Sequence, residues 1–73
     1  MNKPFIVYRY YCLYRPPMLG TVPRGMFNWE DYTDRRYCPQ IERYAWGYVE
    51  YEKPLTKAQI QNYELFGPEE VTT

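Results

Sequence analysis

Histidine is absent from this chain, and with it go most of the ways in which a small domain performs chemistry. Without imidazole a cysteine or serine nucleophile has no ordinary general base, and mixed cysteine–histidine zinc sites are excluded. Only two cysteines occur, Cys12 and Cys38, and their separation matches no zinc-binding spacing. Glycine is scarce, and none of it builds a phosphate-cradling loop or a nucleophile elbow. No stretch approaches the roughly 20 apolar residues of a membrane span, and no apolar run with a small-residue cleavage site marks a secretory signal. The expectation is therefore a cytoplasmic, reducing setting with two buried or half-buried free thiols, a disulfide between neighbouring strands being the alternative. Neither metal, cofactor nor membrane is expected as a partner, and the chain is not expected to be an enzyme. Glu50 and Glu52, at alternate positions of one strand, read as solvent-facing carboxylates rather than a catalytic pair.

Charge of neither sign prevails, since nine basic and nine acidic residues cancel. They are unevenly spread: residues 1–36 hold six bases against three acids, and residues 37–73 hold three bases against six acids. Such asymmetry either exposes a basic patch or is neutralised inside the fold, and internal pairing is the expected outcome.

What the chain has in excess is aromatic side chains: ten Tyr, three Phe and two Trp among seventy-three residues. A single domain this short buries only about 60% of the surface its unfolded form exposes, so large side chains must carry the core. Ten tyrosines nevertheless exceed what so small an interior can hold with every hydroxyl bonded. Several must lie at the surface or in an interface.

The stretch from Tyr44 to Lys53 is the strongest strand, with Ala45, Gly47, Val49 and Tyr51 predicted on a small face and Tyr44, Trp46, Tyr48 and Glu50 on a large one. Phe5 to Tyr14 predicts a second strand, ended by Arg15-Pro16-Pro17. Pro16 to Gly25 reads as a loop, and Asn28 to Tyr32 as a short helical turn capped by Asn28. Arg36 to Cys38 reads as a short edge strand. Thr56 with Gln59 forms a capping box, and Leu55 with Ile60 a hydrophobic staple, starting a helix that Gly67-Pro68 should stop. The expected fold is α+β: a small antiparallel sheet of about three strands, a C-terminal helix packed on one face, a helical turn in the long loop, and a frayed tail over 69–73.

The Tyr8-Arg9-Tyr10-Tyr11 run, Arg15-Pro16-Pro17, and the Ala45 to Tyr51 stretch with Pro54-Leu55-Thr56 resemble a group of short uncharacterised accessory proteins of bacterial mobile elements. The resemblance implies a bacterial setting in which small proteins work by binding something larger, and it implies no activity. On the residues themselves, a protein-binding or regulatory module is the expected function, its partner a larger target or a second copy, met by an aromatic sheet face. Trp46 is the candidate central anchor, with Tyr44, Tyr48, Tyr10, Tyr8 and Arg15 around it. The alternative is single-stranded nucleic acid, with bases stacked on the Tyr and Trp rings and phosphates held by flanking arginines. Zero net charge weighs against that alternative.

Overall fold

The fold is described by a computed structural model over residues 5–72. Among these described residues four strands form one sheet: β1 (Ile6–Cys12), β2 (Asn28–Cys38), β3 (Arg43–Tyr51) and β4 (Leu65–Thr72), with one short helix, α1 (Lys57–Asn62), between β3 and β4. The spatial order is β2-β3-β1-β4, and each neighbouring pair runs antiparallel. β1 and β3, the strands richest in aromatic and β-branched residues, lie in the middle, where both faces of a strand can be buried.

This corrects the predicted architecture. The protein is sheet-dominated, with four strands instead of about three, and its helix is a six-residue connector followed by a strand. The helix start follows the prediction: the Thr56 hydroxyl accepts from the Gln59 amide at 3.1 Å, and the Gln59 side chain accepts from the Thr56 amide at 2.9 Å. The end does not. Glu64 takes φ 55°, the chain reverses, and Leu65 to Thr72 pair with β1, so residues 69–72 are strand and not a frayed tail. Gly67-Pro68, read as a stop, lies within β4 and is joined by a cis peptide bond. Proline is tolerated there because β4 is an edge strand, and the β1–β4 register shifts between Arg9 and Tyr11, opposite this dipeptide.

The expected helical turn at Asn28 to Tyr32 is likewise strand. Asn28 to Asp31 pair with Glu50 to Gly47, giving these backbone groups ladder partners that a lone helical turn lacks. The Asn28 amide donates to Glu50 Oε1 at 2.8 Å instead of capping a helix. Arg36 to Cys38 belong to the same eleven-residue strand, separated from its first half by a bulge. Within that bulge Thr33 takes φ 65°, and its amide donates to the Asp31 carboxylate at 2.8 Å.

The core forms two clusters. Tyr10, Cys12, Val49, Tyr51 and Leu65 pack with Val22, and Leu55, Ile60 and Tyr63 cover them from the helix side. Tyr11, Cys38 and Ala45 form the second, with Leu13, Tyr32, Ile41, Tyr48 and Phe66 packed around it. Ala45 therefore parts company with Val49 and Tyr51, and the uniform small face predicted for the main strand breaks around Gly47. There the chain passes so closely that a Cβ would strike the Glu30 carbonyl and the Pro17 ring. The two thiols are buried and free, one in each cluster.

Candidate interaction surface

Arg9 is the single charge in the middle of an aromatic strand, and Glu50 is the single acid of β3. Antiparallel register sets them opposite each other. Arg9 Nε donates to Glu50 Oε2 at 2.8 Å and its Nη2 lies 2.7 Å from the same oxygen, while Asn28 satisfies Oε1. Glu50 is only 5% exposed, which overturns its reading as a solvent-facing carboxylate. The Arg9 guanidinium also lies 4.0 Å from the centre of the Tyr48 ring and 3.6 Å from Glu69. Glu69 accepts from the Tyr11 hydroxyl at 2.7 Å, and that hydroxyl accepts from Gln40 at 3.0 Å. Burial by itself would lower the Arg9 pKa, but its hydrogen bonding and charge attraction, Glu50 foremost, more than offset this, and the net shift is upward. Burial, and then the bond to Glu69, raise the Tyr11 phenol above its ordinary range. This network ties all four strands together through groups that already have partners, so it is a structural clamp. Its signal in the sequence was the isolation of one base and one acid within two aromatic strands.

The six residues proposed for partner binding do not share one surface. Tyr10 is fully buried, and its hydroxyl accepts from the Leu55 amide at 2.8 Å; Tyr8 is half-buried against the same helix-side cluster. Tyr48 lies in the other cluster, wedged among Arg9, Tyr11 and Tyr32. Trp46 is half-buried and sits opposite the β2 bulge, where the register jumps from Asp31–Gly47 to Arg36–Ala45. Arg15 is exposed and ion-paired with Glu64. Tyr44 alone among the five tyrosine and tryptophan candidates is openly exposed, at 52%, and it has a neighbour that did not stand out in the sequence. Tyr37, 48% exposed, is its cross-strand partner, with ring centres 5.3 Å apart and planes at 69°. Arg35 lies over the Tyr44 ring at 5.1 Å. The far end of the β2–β3 hairpin thus carries an ordered aromatic pair with a guanidinium against it.

The charge asymmetry resolves inward for part of the chain. The ion pairs Arg9–Glu50, Arg9–Glu69 and Arg15–Glu64 each join a base of the first half to an acid of the second. Among the described residues no three histidine, cysteine, aspartate or glutamate side chains gather as a metal set, and no helix is long and apolar enough to cross a membrane.

A small antiparallel sheet with one short helix, a structural polar clamp and a surface aromatic pair defines a sheet-dominated domain. The chain belongs to the Defence against restriction A C-terminal family, whose profile matches residues 6–69. That membership agrees with a small accessory protein of mobile elements, linked to defence against restriction. No curated protein matches the chain, and no solved structure does.

Proposed function

We propose that this domain is a non-catalytic protein-binding module that serves defence against restriction, and that it meets its partner through the end of the β2–β3 hairpin. The observation that carries the reading is the exposed, mutually packed Tyr37–Tyr44 pair with Arg35 against it. Tyrosine and arginine are enriched at interface hot spots, and side chains already held in place lose little rotamer freedom on binding. The partner is a protein, either a larger target or a second copy of this chain. This patch is smaller than the continuous aromatic sheet face that the sequence predicts, because Tyr8, Tyr10 and Tyr48 are engaged within the fold.

The test replaces Tyr37 and Tyr44 together by alanine in the natural genetic setting and compares establishment of the element in restricting and non-restricting hosts. Loss of protection with an unchanged circular dichroism spectrum supports the reading. Full protection by a folded double variant sinks it. Salt-sensitive binding of a mixed-sequence single strand at Tyr44 would replace it with the stacking alternative.

A further inference from the structure

Where β1, β4 and α1 meet at one end of the sheet, a groove of about 410 Å³ opens to solvent. Leu13, Ile60, Leu65 and Phe66 form its apolar floor, and Arg43 and Lys57 stand on its rim. Ile60 and Leu65 belong to the helix-side cluster, whereas Leu13 and Phe66 pack on the opposite one, so the groove follows the seam between the two halves of the core. Its walls are therefore set by the same packing that holds the sheet together.

The charges on the rim are unequal. Glu64 is there, but Arg15 neutralises it. Arg43 lies over the Phe66 ring at 4.6 Å, and neither Arg43 nor Lys57 has a carboxylate within ion-pair distance among the described residues. Elsewhere on this fold, Arg9 and Arg15 both found acids. Two uncompensated cations thus border an apolar depression whose size falls in the range of about 300–1,000 Å³ typical of specific pockets.

We infer that this groove docks a short acidic segment of another protein, which seats one apolar side chain on the floor and sets its carboxylates on Arg43 and Lys57. An arginine fork and a lysine ammonium beside a low-dielectric floor favour carboxylates, and the aliphatic floor favours a buried anchor over a polar chain. Single-stranded nucleic acid fits less well, since the Phe66 ring already carries the Arg43 guanidinium on one side and most of the floor is aliphatic. The groove is separate from the Tyr37–Tyr44 pair and its occupant does not depend on that patch.

The experiment follows backbone amide shifts of the labelled protein by NMR against a panel of short acidic peptides, each with one Leu, Phe or Trp. Two controls accompany it: the same peptides with serine in place of the apolar residue, and with lysine in place of the acids. The acidic apolar peptides should shift Leu13, Ile60, Leu65 and Phe66, and the Arg43→Gln/Lys57→Gln variant should bind at least about tenfold more weakly. Arg43 and Lys57 are surface residues, so this variant keeps the fold; a Tyr37→Ala/Tyr44→Ala variant should bind like the parent. The inference is overturned if no acidic peptide shifts these residues, if the lysine peptides bind equally well, or if the Gln variant binds unchanged. It is equally overturned if a single-stranded oligonucleotide outcompetes the peptides, or if the groove shifts with protein concentration alone, which would make a second copy the occupant. None of these results touches the hairpin reading, which stands or falls on the protection assay.

Discussion

Replacing Arg9 by methionine should expose how much of this small fold depends on one clamp. The change keeps a long apolar stem beside Tyr48 but leaves the Glu50 carboxylate, 5% exposed, with Asn28 as its remaining side-chain donor. Breaking a buried pair by removing one partner typically costs about 3–5 kcal/mol, because the other charge stays behind desolvated. Arg9 retains 22% side-chain exposure, so water can partly replace it, and about 3 kcal/mol is the appropriate estimate. A domain of this length is stable by about 4–11 kcal/mol in all, so the loss is a large fraction of the whole. With a urea slope of about 1 kcal/mol/M the unfolding midpoint should fall by about 3 M, read from tryptophan fluorescence. The reasoning demands more than destabilisation. Adding Glu50→Gln to the methionine variant removes the stranded charge and should recover about 2 kcal/mol. A single variant that loses under about 1 kcal/mol, or a double variant less stable than the single one, would refute the account.

Four further outcomes follow from local geometry. Thr56→Ala removes the acceptor for the Gln59 amide and should cost about 1 kcal/mol in the same urea assay, with the sheet signal in circular dichroism retained. Gly67→Ala would place a Cβ 2.7 Å from the Arg9 carbonyl oxygen and 2.8 Å from Tyr10 Cδ1, both fixed by the core, and should destabilise by about 1–3 kcal/mol; a neutral effect would mean that β4 shifts freely against β1. Burial pushes the Cys12 thiol up to about 12 from an ordinary value near 9, and burial also raises the Tyr32 and Tyr51 phenols. The folded state thus holds protons that the unfolded state releases first, so this contribution to stability is complete below about pH 8.5 and declines as the pH rises through 9 towards 12. Urea midpoints measured across that window should fall steadily. At neutral pH Cys12 and Cys38 should resist alkylation until the protein unfolds, which mass spectrometry after a short iodoacetamide pulse would check.

The hairpin patch was half legible before the structure. Tyr44 stood on the predicted aromatic face of β3, but Tyr37 was assigned to a separate short strand, and only their register makes them a pair. Trp46 is predicted as the central anchor of that aromatic face, yet the β2 bulge opposite it is not legible in a single sequence, because bulges answer to a strand elsewhere in the chain. The groove beside Phe66 was missed altogether. Its floor residues come from β1's end, α1 and β4, and a strand at 65–72 was hidden by Gly67-Pro68, a dipeptide whose local meaning is termination.

By itself the sequence determined what depends on near neighbours and on composition. The aromatic and β-branched runs made β1 and β3, and Thr56 with Gln59 started α1, because propensity and capping act within a few residues. The shortage of room for ten tyrosine hydroxyls required some at the surface, and Tyr14, Tyr37 and Tyr44 are there. Only the tertiary structure decided that Asn28 to Asp31 extend along β3, that the chain turns at Glu64 to close the sheet, and that Glu50 is buried against Arg9. Each of these rests on partners far along the chain, whose hydrogen bonds and charge outweigh local preferences of about 1 kcal/mol.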